Sequence, residues 1–282
     1  MNNFAVRTIS AAVFTVIMVA SLLFSPLVYG ALFLVIMSVA MQELFTMVME
    51  GRYLVQQKLT LLAGAAYFII SICVNIYGLD PRWHAVALLI LALIPVSVLF
   101  RKDHTDFGVI SICYTALLYI CLPLTLSQRL VFSADGAFDG KLLLSIFVIV
   151  WLCDVGAFCV GSALGQRPGA RRLAPTISPK KSWWGFWGGV VLGSISAVVL
   201  KFVGWIPFPL VHAIALGALV SVAGICGDLV ESLWKRYAGV KDSGNVIPGH
   251  GGMLDRFDSS LLAIPVAYVL HSGNEEDESL ET

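Results

Sequence analysis

Runs of about twenty apolar residues recur along this chain, which is the length an α-helix needs to cross the hydrocarbon of a bilayer. Backbone N–H and C=O groups meet no water there, so a spanning segment has to satisfy them internally, as a helix does. Nine such runs are legible, at about 8–25, 27–48, 59–78, 84–100, 108–127, 142–164, 185–204, 210–233 and 258–272, the last being short. The expected fold class is all-α: a polytopic membrane helical bundle of about nine transmembrane helices. A soluble core of 282 residues would carry far more charge than 13%, and a mean hydropathy of +0.87 points the same way.

The N-terminal run, with Arg7 before it, has the outline of a secretory signal peptide. A second run follows at once after Pro26 with no small-residue cleavage site between them, so it reads as a retained first helix. Six cysteines fall inside apolar runs without a CxxC pair, and read as small buried apolar residues rather than disulfide partners or metal ligands. With 18 basic and 18 acidic residues the net charge is zero, and no nucleic-acid partner is expected.

Charge is patterned rather than abundant. Alternating the nine spans from a cytoplasmic N-terminus places Arg7, Arg52, Lys58, Arg101, Lys102, Arg167, Arg171, Arg172, Lys180, Lys181, Lys235, Arg236, Lys241 and Arg256 inside. Only Arg82, Arg129, Lys141 and Lys201 fall at the outer side. The bias of cationic loops toward the cytoplasm therefore selects an N-terminus inside and leaves the acidic EEDESLET tail outside. The chain divides into N-terminal transmembrane helices over 1–140 and a C-terminal transmembrane catalytic region over 141–282, whose loops 165–184 and 234–257 share the cytoplasmic side. In the first half, Gln42, Glu43, Glu50 and the RKDHTDF loop read as boundary or loop polarity. No internal repeat, low-complexity linker or soluble domain is legible.

The densest polar stretch, Ser232 to Asp258, reads SLWKRYAGVKDSGNVIPGHGGMLDRFD. Its glycines and Pro248 break a helix and let the backbone turn tightly and approach a ligand. Lysines, arginines and glycine-rich turns suit an anion with many oxygens, such as a di- or triphosphate, and carboxylates suit a hard cation such as Mg²⁺. The plainer alternative is a solvated basic loop between spans, but three Asp, a His and a GHGG turn are interleaved with the basic residues.

An ionised carboxylate facing lipid costs several kcal/mol, so Asp154, Asp228 and Glu231 each have to face the bundle interior, a wet cavity or a cation. Asp228 and Glu231 lie three apart on one helical face. Asp255 and Asp258 share that spacing in the first turn of the last helix, where free N–H groups accommodate anions. Four carboxylates can thus converge where the eighth span ends and the ninth begins, and a divalent cation would hold them together. For Asp228 and Glu231 the competing reading is helix-end capping with salt bridges to Lys235 or Arg236. His250 lacks a second His or Cys at ligand spacing, so zinc is not expected. The glycines of GGVVLGSIS read as close helix packing.

The pattern S-x-x-K-R-x4-K-D-x-G-x2-I-P-x-H-G-G-x-x-D-R-x-D, running from Ser232 through Asp258, resembles the signature of the phosphatidate cytidylyltransferases, or CDP-diacylglycerol synthases. WLCDVGAFCVGSALG around Asp154 and LAPTISPKKSWWG around Ser178, Lys180 and Lys181 resemble two further segments of that family. The likeness covers roughly 150–262. Before it, the chain matches only as a set of membrane helices. Trp234, Val155 and Phe158 depart from the family's usual residues, which bears on substrate preference and rate rather than on reaction class.

The resemblance implies that CTP and phosphatidic acid give CDP-diacylglycerol and pyrophosphate, with Mg²⁺ and a second monovalent cation such as K⁺. It implies that Asp228 and Asp255 are the principal metal ligands, with Asp258, Asp242 and Glu231 in support. Lys181, Lys235, Arg236, Lys241 and Arg256 would hold the phosphates, and the 244–252 turns with Gly244, Gly251 and Gly252 would wrap the triphosphate. Ser178 and His250 would hydrogen-bond phosphate, and Asp154 would orient a basic group. The implied setting is a homodimer in a bacterial cytoplasmic membrane, its active site facing the cytoplasm. The competing readings are the same transfer onto another lipid phosphate, an ion-coupled transporter built on Asp154 and Asp228, and an inactive scaffold. A transporter would place its carboxylates near the bilayer midplane in paired interrupted helices, whereas here the charge gathers at one face.

Overall fold

The computed structural model describes residues 3–100, 108–133, 136–246 and 251–281, with side chains between 8 and 274 within those ranges. Among the described residues ten α-helices run in order: α1 Asn3–Phe24, α2 Pro26–Met49, α3 Leu54–Tyr77, α4 His84–Leu99, α5 Gly108–Ala116, α6 Leu122–Leu126, α7 Lys141–Ala163, α8 Trp183–Phe202, α9 Leu210–Tyr237 and α10 Leu254–Glu281. A π-helical turn, Leu117–Cys121, joins α5 to α6, so the fifth apolar run crosses as one interrupted rod. Local chemistry sets the breaks. Ser25 accepts from the Val28 N–H at 3.4 Å, and Pro26 takes the first helical position, where its missing N–H costs nothing.

Among the described residues, seven stretches are long and apolar enough to cross a membrane, and they coincide with seven of the nine expected runs. The first run is represented by Thr8–Phe24, a shorter apolar helix. The last, α10, starts ahead of the expected 258 and carries helical backbone through the acidic tail to Glu281. The loop at 165–184 adds what the all-α expectation left out: a small antiparallel hairpin of β1, Arg172–Ala174, and β2, Ser178–Ser182, with Arg172 opposite Ser182.

The chain divides into two compact units, Met1–Phe138 with Ala238–Arg256 and Asp139–Tyr237 with Phe257–Thr282. The first is built around Tyr29, Phe33, Phe45 and Phe68, all fully buried. Polar groups in so dry an interior have to find one another. The Tyr29 hydroxyl meets that of Ser127 at 2.6 Å, Asn75 donates to the Gln128 side-chain oxygen at 3.1 Å, and Gln128 donates to the Phe68 carbonyl at 3.3 Å.

In the second unit small residues set the helix approach, as the glycine runs predict. A Cβ on Gly156 of α7 would lie 2.5 Å from the carbonyl oxygen of Gly188 in α8, and one on Gly217 of α9 would lie 2.7 Å from the Ser194 Cα. Backbones at this range gain the dispersion and weak polar contacts that hold helices together where no hydrophobic drive exists. The crossing of α9 with α10 follows the same rule, with Gly227 against the Asp258 carbonyl, and Phe147 of α7 meets Phe257 of α10 edge-on at 5.8 Å. All six cysteines are free; Cys113, Cys121 and Cys153 are buried and Cys73 partly so, whereas Cys159 and Cys226 are exposed rather than buried as expected, on the apolar helices α7 and α9.

Candidate active site

The hairpin of the second unit is built to deliver a lysine. Ser182 ends β2 and caps α8, its hydroxyl accepting from the Gly185 N–H at 3.2 Å, so the strand-to-helix corner is fixed. Gln166 donates to the Lys180 carbonyl at 3.0 Å, Arg172 donates to Gln166 at 2.8 Å, and Arg236 at the end of α9 donates to the Ile177 carbonyl at 3.2 Å. Held from both sides, Lys181 points at α9 and donates to Asp228, whose other oxygen accepts from Ser232 at 3.2 Å. Lysine and carboxylate line a cavity of about 540 Å³ together with Asp154, Lys180, Phe158 and Phe186.

Asp154 is exposed, and it lies on this cavity, one of the settings in which a carboxylate at membrane depth is tolerated. Asp258 lies within reach of the charges of Asp228, Lys235 and Asp154. Glu231 is fully buried and pairs with Lys235 at 2.5 Å, the i+4 salt bridge that competed with a metal role. Ser178 opens β2. The unit therefore presents Asp154 and Asp228 on the cavity wall with Lys180 and Lys181 of the hairpin, and Asp258 within reach of both carboxylate charges. Such a site can hold a polyanion against Lys181 while its carboxylates take a hard cation.

Among the described residues no three His, Cys, Asp or Glu stand together as a metal-holding group. Mg²⁺ does not need one, because it binds through one or two carboxylates and completes its octahedron with water and substrate phosphates. Asp228, already neutralised by an ammonium in this structure, has the donor chemistry for it.

The remaining expected residues belong to the first unit. Lys241, Asp242 and Arg256 are exposed on the 238–256 segment. One oxygen of Asp255 accepts from the Ser243 N–H at 2.9 Å, the Ser243 hydroxyl at 2.9 Å and the Gly252 N–H at 2.8 Å. Gly251 has φ +81°, which favours glycine, and a Cβ there would lie 2.8 Å from the Asp255 carboxylate. His250 lies outside the described residues.

Sequence reasoning passed over Glu43. This residue of α2 is 6% exposed, and its carboxylate accepts from the Met253 N–H at 2.9 Å, the Leu254 N–H at 2.8 Å and the Ser243 hydroxyl at 3.3 Å. It caps the first turn of α10 from another helix. The signal was present in the sequence: a carboxylate inside an apolar run, with no basic residue within a helical turn, has to be met by donors from elsewhere.

Comparison with known proteins supplies the frame. The model of a family described as "Cytidylyltransferase family" matches residues 5–272. A phosphatidate cytidylyltransferase of Bacillus subtilis (strain 168) is 46% identical over 44% of this chain and 44% of its own length. One of Pseudomonas aeruginosa is 34% identical over 77% of this chain and 76% of its own, and one of Haemophilus influenzae 37% over 65% and 63%. The aligned stretch thus takes in less than half of the Bacillus relative and about three quarters of the Pseudomonas one.

Proposed function

Because this chain belongs to the cytidylyltransferase family, a multi-pass membrane protein with seven apolar helices of spanning length among its described residues, we propose that it transfers the cytidylyl group of CTP to phosphatidic acid. The products are CDP-diacylglycerol and pyrophosphate. A phosphate oxygen of the lipid attacks the α-phosphorus of CTP, and the bond to the pyrophosphate oxygen breaks, so the protein supplies no nucleophile. Its task is to position two anions and neutralise their charge. The observation that carries the reading is the Lys181–Asp228 pair on the cavity wall: the ammonium is poised to exchange its carboxylate for a phosphate oxygen.

In this reading Lys181 and Lys180 bind the triphosphate, and Asp154 keeps their ammonium groups turned into the cavity. Ser178 hydrogen-bonds phosphate, while Arg236 and Lys235 brace the hairpin and the end of α9. Mg²⁺ would be held by Asp228 with Asp258, Glu231 standing behind them, and would neutralise phosphate charge when bound; a metal role for Asp255 rests on the resemblance alone. K⁺ as a second cation rests on the resemblance alone. Lys241, Asp242, Arg256 and the turns at Gly244, His250, Gly251 and Gly252 belong to CTP binding. The cationic loops favour a cytoplasmic N-terminus and a cytoplasm-facing site in a bacterial cytoplasmic membrane, where CTP is found, and cysteine accessibility from either side of sealed vesicles tests that orientation. A homodimer is part of the same reading, and the mass of the detergent-solubilised particle tests it.

The experiment is pyrophosphate release by purified protein given CTP, phosphatidic acid and Mg²⁺. Release that requires all three, with CDP-diacylglycerol formed in equal amount, is the expected result. Protein that binds CTP without release in the presence of phosphatidic acid would reject that lipid as the acceptor, and absence of CTP binding would reject the transfer itself.

A further inference from the structure

Among its described residues, the segment 238–256 has almost no regular structure of its own before α10, yet it carries Lys241, Asp242, Asp255 and Arg256. Within the first unit it is fastened to one side chain. Glu43 receives two backbone N–H groups, of Met253 and Leu254, and shares the Ser243 hydroxyl with Asp255. The loop is shaped around that carboxylate. A Cβ on Gly244 would lie 2.5 Å from one Glu43 oxygen, and a Cβ on Gly252 would lie 2.5 Å from the other. Gly244 and Gly252, two of the glycines of the polar motif, therefore have a packing reason that involves no ligand: they make room for Glu43. We propose that Glu43 is a positioning residue, which holds Ser243 and Gly244 against Gly252–Leu254 and fixes Asp255 through the shared serine.

The chemistry explains why a carboxylate is required. All three partners of Glu43 are donors, so its oxygens have to accept on both sides. A glutamine keeps the shape but turns its NH₂ toward the N–H of Met253 or that of Leu254, which sets donor against donor in a site that is 6% exposed. Ser243 has one hydroxyl proton and faces two carboxylates, so its rotor links the two. When the Glu43 side is lost, Asp255 keeps its bonds to the Ser243 and Gly252 N–H groups, but these are then carried on a loop with no anchor.

The inference rests on the proposed transfer reaction, and its test has one arm that does not. Glu43→Gln in the full-length purified protein is expected to speed tryptic cleavage after Lys241 by about tenfold, the equivalent of one charge-assisted hydrogen bond, with cleavage after Arg171 and Arg172 unchanged. In the kinetic arm the KM for CTP rises by about tenfold while that for phosphatidic acid stays within about twofold. A purely structural role would lower the folded yield and kcat and leave the CTP KM alone. Glu43→Gln with normal proteolysis, or with both loops cut faster, overturns the proposal, as does a released loop with a normal CTP KM. Should Glu43→Gln fail to fold, Ser243→Ala is expected to give the same two changes at smaller size, and its silence in both arms overturns the proposal. Wild-type protein without turnover would reject the reaction, while the proteolysis arm would still decide the clamp.

Discussion

Lys181 and Asp228 lie 47 positions apart, one on a hairpin strand and one on α9, and they share a charge-assisted hydrogen bond at the cavity wall. Their side chains are 26% and 32% exposed, so the pair adds under about 1 kcal/mol to stability and its importance is to function. Lys181→Ala is expected to raise the KM for CTP by about tenfold with little change in melting temperature. Asp228→Asn removes turnover, and the double variant is no worse than Asp228→Asn alone. Steady-state kinetics on the three proteins checks this, and additive losses would separate the two residues.

Asp255→Asn replaces the acceptor of three hydrogen bonds with a group that is half donor. Turnover is expected to fall by about a thousandfold, in the range seen when a central catalytic group is removed. Glu50→Gln serves as its contrast: Glu50 is exposed at the left-handed C-terminus of α2, and activity should stay within about twofold of normal. Loss of activity in that variant would show that the site has been misplaced.

Gly156→Ala puts a methyl group 2.5 Å from a backbone carbonyl of α8, which cannot swing aside as a side-chain tip could. The expected cost is about 2 kcal/mol or more, read as a lower melting temperature in detergent. An unchanged melting temperature would mean that α7 and α8 are less tightly apposed than described.

Glu231 and Lys235 make a buried pair, their side chains 1% and 14% exposed. Removing one partner leaves a buried charge and should cost about 3 kcal/mol, whereas Glu231→Leu with Lys235→Met together should cost less than either single change. Melting curves of the three variants provide the comparison.

Chelation supplies a fifth expectation. EDTA should abolish pyrophosphate release, and excess Mg²⁺ should restore it, because one or two carboxylates with phosphate oxygens make a shell suited to that ion. Release that persists in EDTA would remove the metal from the reaction.

Much of this arrangement could be read in advance, for identifiable reasons. Spanning helices follow from hydropathy alone, and an i+4 partner such as Lys235 for Glu231 is a local matter of helix geometry. The hairpin was harder. Pro168, Pro175 and Pro179 interrupt a helix without saying what replaces it, and it is the pairing of Arg172 with Ser182 that makes two strands. Glu43 was hardest, because its partners stand some two hundred residues away. A one-dimensional reading can say that a carboxylate in an apolar run needs donors without saying where they are.

The first unit is discontinuous in sequence, and that bears on how the protein is made. A nascent chain inserted as far as Tyr237 has α1 to α9 in place, yet the carboxylate of Glu43 then has none of its three donors. A charge left bare in an apolar helix is a strained assembly intermediate, relieved only when Ser243 and the start of α10 emerge from the ribosome. Completion of the motif and burial of that charge are therefore one event, late in biogenesis, and a chain truncated before it would give the cell's quality control an ionisable group to detect.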